Sequence, residues 1–211
     1  MRCCEKGRSM IEMLGVLAIV GVLSVGGIAG YSKAMTKYKR DTMMTQISEL
    51  VINIRTLYFQ QTSFEGISKK VLISAGAIPG SMYDKSDINN SDIKILHAMN
   101  GEVLIFKSYN GTELPDAFEI YVKNLDALTC IDMAVTDWGQ DASSGFKALY
   151  IGTEDITEAK MEAVTSPTDS DPSSGIYTPG QHDMAIPLTV NQAHAACACT
   201  SNTCVIGFKY I

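Results

Sequence analysis

Apolar positions run almost unbroken from Met10 to Tyr31 and then change rhythm. No charged residue occurs between Met13 and Gly30. At about 1.5 Å per helical residue, Met10 to Tyr31 would reach roughly 33 Å, close to the hydrocarbon thickness of a bilayer. Beyond that run, Ile47, Leu50, Val51, Ile54, Leu57 and Tyr58 recur at three- and four-residue spacing, as on an amphipathic helix. The first proline is Pro79. One helix is therefore expected from the apolar start to about Gln61.

The pattern then breaks. "TSFEGISKK" reads as a helix end and loop with Gly66 as the stop, Lys70 to Ala77 as a short helix, and Gly76 to Asp92 as a turn-rich surface loop. Glu102 to Ser108 and Ala117 to Lys123 carry strand composition, and "YNGTELPD" between them supplies a turn, so an antiparallel pair is expected. Phe118, Ile120 and Val122 would share one face of the second strand, with Tyr121 on the other. Leu125 to Gly139 reads as a helix carrying Cys130, Phe146 to Gly152 as a strand, Thr165 to Gly175 as a polar loop, and Cys204 to Ile211 as a closing strand. The expected fold class is α+β. A long N-terminal helix, apolar in its first half and amphipathic in its second, packs on a globular head with an antiparallel sheet.

Composition changes this picture in two places. Hydrophobic residues are 46% of the 211, but many lie in the first thirty, so the remainder is more polar than the mean suggests. The formal net charge of -6 disfavours a nucleic-acid footprint, which needs a basic face, and no nucleic-acid partner is expected. Six cysteines fall at 3, 4, 130, 197, 199 and 204. If the apolar run is an anchor, the last four lie in another compartment, where disulfides stapling the C-terminal region are the default.

Three readings of the apolar run compete. A cleaved secretory signal has a shorter apolar core and no continuing helix behind it. A plain single-span anchor leaves Glu12 unexplained, since an acid placed centrally costs about 2.5–3.5 kcal/mol on insertion scales. It also leaves Gly15, Gly21, Gly26, Gly27 and Gly30 unexplained, each costing up to about 1 kcal/mol against alanine. A helix that lies in lipid and later packs among copies of itself accounts for both. Glycines allow close approach or local loosening, and a neighbour's terminal amine can pair the carboxylate.

Gly7, then "RSMI", then Glu12 and an unbroken apolar run resemble the leader signal of type IV pilins and pseudopilins. The resemblance covers about Lys6 to Ala34. It implies cleavage between Gly7 and Arg8 by prepilin peptidase, methylation of the new terminus, and Glu12 in the family's acid position. It further implies helix flexibility or packing at Gly21, Gly26, Gly27 and Gly30, with Arg8 and Glu12 engaged in assembly. Arg8 departs from the apolar first residue usual in the family. Orientation is expected from the leader and the cysteines rather than from flanking charge. Arg2, Lys6 and Arg8 precede the run and Lys33, Lys37, Lys39 and Arg40 follow it, a balance that does not favour an outside C-terminus. Lys33 to Arg40 are expected to be solvated, or else to pair with acids of neighbouring subunits.

"LTCIDMAVTDWG" followed by a C-terminal cysteine and a last strand is similar to major pilins of the type IVb kind. That likeness implies a bridge from the head's helix to the C-terminal segment. Cys130 is then expected to pair with Cys197 or Cys199 and the remaining one with Cys204, the choice staying open. The expected organisation is a leader over 1–7, a helix over 8–62 with a membrane or filament-core segment at 10–31, and a head over 63–211. The implied function is the structural subunit of a type IV pilus serving adhesion, aggregation, motility or DNA uptake. The implied partners are other copies of the chain, prepilin peptidase and the inner-membrane assembly platform. The chain would lie in the inner membrane first and in an extracellular pilus afterwards. The alternatives are a minor pseudopilin of a type II secretion system and a membrane-anchored periplasmic binding or redox protein.

Other candidate chemistry is weaker. His182 and His194 near "CACTSNTC" do not give zinc spacing. Asp169 and Asp171 lack an EF-hand pattern. Asn110-Gly111-Thr112 matches a glycosylation triplet that a hairpin turn also explains. Neither a phosphate-binding loop nor a catalytic constellation of paired acids stands out, and neither enzyme activity, cofactor nor metal is expected.

Overall fold

The computed structural model describes residues 10–87, 92–139, 144–153, 155–179, 186–200 and 203–211. The chain divides into two compact units, Met1–Asp41 and Thr42–Ile211. Helix α1 spans Met10–Tyr58. In the first unit its side chains are exposed all round, apart from a half-buried Arg40. In the second unit α1 buries Met43, Gln46, Ile47, Leu50, Val51, Ile54 and Tyr58, a stripe at helical spacing. Leu57, expected on that stripe, is exposed. Met43 and Gln46 join it instead; Gln46 is satisfied there, its Nε2 donating to Ser81 Oγ (3.0 Å) and its Oε1 accepting from the Ala98 amide (2.9 Å). α1 ends at Tyr58, where the Gln61 amide turns back to the Tyr58 carbonyl (2.8 Å).

The other elements are α2 (Lys69–Ser74), β1 (Val103–Ser108), β2 (Ala117–Leu125), α3 (Ala127–Ala134), β3 (Phe146–Gly152), β4 (Ile176–Tyr177), α4 (Val190–Ala196) and β5 (Cys204–Tyr210). Single 3-10 turns occur at Lys85–Asp87 and Pro172–Ser174. The strands form one sheet in the order β1-β2-β5-β3-β4, with every neighbouring pair antiparallel. The C-terminal strand β5 is thus central. α3 is shorter than the Leu125 to Gly139 expected from sequence. Leu125 ends β2, and Asp126 caps the helix by accepting the Thr129 amide (2.9 Å). At the other end Trp138 Nε1 donates to the Met133 carbonyl (2.8 Å), and the ring packs on Phe208.

Both faces of the sheet are covered. On one, Phe118, Ile120, Val122, Leu149, Ile151, Ile206 and Phe208 join the buried stripe of α1 in the main core. On the other, Tyr121, Ala148, Tyr150 and Val205 pack beneath Ile156, Met161 and Val164, a strap crossing after β3. Gly207 of β5 stands opposite both Tyr121 and Tyr150. A Cβ there would lie 2.5 Å from the Tyr121 ring, so the absent side chain makes room for an edge-to-face tyrosine pair.

Candidate functional site

Two regions carry what is distinctive: the exposed first unit and the C-terminal part of the head. Among the described residues, α1 is the one helix long and apolar enough to cross a membrane. Between Met13 and Gly30 its one polar side chain is Ser24, whose hydroxyl donates back to the Val20 carbonyl (2.7 Å). This tract therefore carries no unsatisfied polar side chain. Glu12 lies in the first turn of α1. At Gly15, Gly21, Gly26, Gly27 and Gly30 no atom lies within 4 Å of where a Cβ would stand. Among the described residues, then, no contact requires glycine at these positions. Gly7 and Arg8, with Cys3 and Cys4, lie outside the described residues.

In the head, Cys130 on α3 is bonded to Cys197, the C-cap of α4. Cys199 is bonded to Cys204, the first residue of β5. The two bridges tie α3, α4 and the central strand together at one end of the sheet. Cys130, Cys197 and Cys204 are buried and Cys199 is half-buried. α4 begins with a capping box in which Thr189 and Gln192 satisfy each other's backbone amides. His194 is exposed in its last turn, and His182 lies outside the described residues. No cluster of three metal-ligating side chains is found among the described residues.

The loop acids have local partners. Asp169 accepts from the amides of Thr165 (2.8 Å) and Ser166 (2.7 Å). Asp171 accepts first from the Ser173 hydroxyl (2.5 Å), then from the Ser174 hydroxyl (2.6 Å) and the Ser173 amide (3.1 Å). These bonds hold both carboxyls below the usual carboxylate range. The Asn110 amide donates to Asp116 Oδ1 (2.7 Å), and Gly111 has φ +85°, so the triplet forms the β1–β2 turn.

Sequence reasoning missed a buried polar cluster under the strap. Glu119 and Lys209 are both fully buried on facing strands. Glu119 accepts from the Lys160 (3.0 Å) and Met161 (3.1 Å) amides, from Ser108 Oγ (2.6 Å) and from the Tyr121 hydroxyl. Lys209 Nζ donates to the carbonyls of Met161 (2.6 Å), Val164 (2.7 Å) and Tyr109 (2.7 Å). Burial, with the Glu119 charge second, pushes the Tyr121 phenol well above its ordinary range. Burial lowers Lys209, and Glu119 opposes that shift. The available signal was a charge inside each of two otherwise apolar strands, "AFEIYV" and "VIGFKYI".

A long apolar-then-amphipathic helix, its second half laid on an antiparallel sheet whose C-terminal strand is central and disulfide-anchored, defines the type IV pilin fold. The chain is similar in structure to a type IVb pilin from Salmonella typhi (TM-score 0.51, 16% identity, 81% of this chain and 98% of that one). It is similarly close to TcpA, a type IV pilin from Vibrio cholerae El Tor biotype (TM-score 0.53, 14% identity, 82% and 99%). In sequence it is 27% identical over 169 residues to the major structural subunit of bundle-forming pilus from Escherichia coli O127:H6, covering 76% of this chain and 83% of the relative. It is 26% identical over 168 residues to the corresponding subunit from Escherichia coli O111:H-. The bundlin family model matches residues 32–207, and the chain belongs to that family of type IV pilins.

Proposed function

We propose that the chain is the major subunit of a bundle-forming type of pilus, held in the inner membrane through residues 10–31 and then polymerised at the cell surface. A structural role of this kind is what its family carries. The observation that supports this route best is the exposed first half of α1. Among the described residues, its apolar side chains are exposed and its glycines have no atom within 4 Å of where a Cβ would stand. Lipid covers such a surface first, and the helices of other copies cover it later.

In this reading prepilin peptidase removes residues 1–7 and leaves Arg8 as the terminus, and the assembly platform extracts the chain. Glu12, near the helix start, neutralises the terminal amine of an adjacent copy as both leave water and lipid. Gly21, Gly26, Gly27 and Gly30 let neighbouring helices approach closely. The head, stapled through Cys130–Cys197 and Cys199–Cys204, faces outward.

Electron microscopy of cells producing the chain, with gold-labelled antibody to the head, tests this. Labelled surface filaments are expected. Label confined to the inner membrane, with no filament, would overturn the reading.

A further inference from the structure

Between the apolar run and the head, α1 carries a short basic stretch with exposed, unpaired lysines. Lys33, Lys37 and Lys39 are exposed and have neither a hydrogen bond nor an ion pair among the described residues. Arg40 and Asp41, which follow, are already engaged within the chain. At about 100° per helical residue, Lys33 and Lys37 fall on one side of α1, about 40° apart. Tyr31, Met35 and Tyr38 fall together on the opposite side, and all three are exposed. Lys39 stands beside that second face.

With Met10 to Tyr31 filling the hydrocarbon, this stretch meets the headgroups. A headgroup layer adds about 5–8 Å on each side of a bilayer core. Lys33 lies about 3 Å of helix rise beyond Tyr31, and Lys37 about 9 Å. Helix side chains tilt toward the N-terminus, which here is back toward the bilayer, so both ammonium groups reach the phosphate level. On the other side Tyr31, Met35 and Tyr38 offer apolar bodies and, for the tyrosines, polar tips, the surface that settles between acyl chains and headgroups. Basic on one side and aromatic on the other is the pattern of a helix at a membrane surface. The head does not supply the same attraction. From Thr42 on, acids outnumber bases two to one, so an anionic surface repels it.

We propose that Lys33 and Lys37 bind the phosphates of anionic phospholipid in the leaflet beside the head, with Tyr31 and Tyr38 seated at the same interface. The occupant is the headgroup layer of the bilayer that covers residues 10–31, so the inference rests on the membrane storage proposed above. The contact sets how far α1 enters the bilayer. It also retains a chain whose acidic head is pushed away from the same surface, until assembly draws the chain out.

The chain purified from the membrane fraction and placed in nanodiscs of equal phosphatidylglycerol and phosphatidylcholine tests it. Native mass spectrometry counts the lipids that the released chain retains. Each lysine at a membrane surface favours anionic lipid about fivefold. The wild-type chain is expected to retain phosphatidylglycerol over phosphatidylcholine about tenfold or more. Lys33→Gln with Lys37→Gln is expected to bring the ratio to within about threefold of parity, and Lys33→Arg with Lys37→Arg to keep it. Lys70→Gln with Lys94→Gln removes the same charge from exposed positions of the head and is expected to leave the ratio unchanged. A wild-type ratio near parity, or an unchanged ratio after Lys33→Gln with Lys37→Gln, would overturn the inference. An equal fall in the head variant would also overturn it, by tracing the preference to net charge. Loss of filaments after Lys33→Gln with Lys37→Gln, with the lipid ratio intact, would overturn it by assigning the lysines to a neighbouring subunit. A wild-type chain absent from the membrane fraction would instead remove the storage reading on which the inference stands.

Discussion

Glu119 on β2 stands directly opposite Lys209 on β5, and each sends hydrogen bonds to the same strap, Glu119 also taking the Ser108 and Tyr121 hydroxyls and Lys209 also donating to the Tyr109 carbonyl. The carboxylate takes the amides of Lys160 and Met161, and the ammonium takes the carbonyls of Met161 and Val164. The pair grips one segment from its donor side and its acceptor side, and so seals the second face of the sheet.

Removing either partner leaves the other charge buried without its counterweight. Lys209→Met or Glu119→Gln should therefore destabilise the head by about 3–5 kcal/mol. Glu119→Leu combined with Lys209→Met should cost less than the sum of the single changes. Urea unfolding followed by the fluorescence of Trp138, the one tryptophan, measures this. Single variants within about 0.5 kcal/mol of wild type would refute the clamp.

The two disulfides should differ in weight. Cys130–Cys197 closes a segment with a sequence separation of 67, Cys199–Cys204 one of 5. In the loop-entropy model their removal costs about 4 and about 2 kcal/mol. Cys130→Ala with Cys197→Ala should accordingly lower the urea midpoint more than Cys199→Ala with Cys204→Ala. The opposite order would show that α3 is held to α4 by packing alone.

His97 should make the head sensitive to mild acid. It is buried, its Nε2 donates to the Lys123 carbonyl (2.9 Å), and its Nδ1 accepts the Met99 amide (3.2 Å). Burial lowers its pKa below the ordinary 6.5. Above that pH the ring is neutral in both folded and unfolded chains and contributes no slope. Below it the unfolded chain gains a proton that the folded ring resists, so stability falls as pH drops from about 6.5 toward the depressed folded value. His97→Gln, which can keep both hydrogen bonds, should flatten that part of the profile. An unchanged acid slope in this variant would assign it to other groups. Gly101 lies so close that a Cβ would sit 2.1 Å from both Nε2 and the Lys123 carbonyl, so Gly101→Ala should break the same arrangement.

Much of this fold can be read from local pattern. The long helix follows from proline-free apolar periodicity through Ile54 and Tyr58, and the β1–β2 hairpin from "YNGTELPD" between two branched and aromatic runs. The two-residue strand β4 is too short to show a period, and α4 is marked by a capping box rather than by an apolar stripe. Alternation places Tyr121 on the face opposite Phe118, Ile120 and Val122, with nothing in the pattern to show what covers that face, which also carries Glu119 and Lys209. That face is buried because the strap is fastened over it by those same charges. Long-range fastening of that kind leaves no periodic trace. The choice of Cys197 over Cys199 as partner of Cys130 is likewise a matter of where α4 ends.

Glu12 separates storage from assembly in the proposed route. Glu12→Ala removes a carboxylate from the apolar tract, so membrane levels of the chain should be unchanged or higher. Filament yield should fall below detection, because an adjacent terminal amine would enter the filament core unpaired. Fractionation and shearing of the same culture measure both quantities. Normal filaments from this variant would rule out the charge pairing. Gly7→Asp should instead stop earlier, leaving a chain of untrimmed mobility beside wild type.

The most direct measurement is the intact mass of subunits sheared from the cell surface. The account predicts a polymer whose chain starts at Arg8, with both disulfides closed and at most a methyl group added. A chain that still begins at Met1, found only in the membrane fraction, would contradict it.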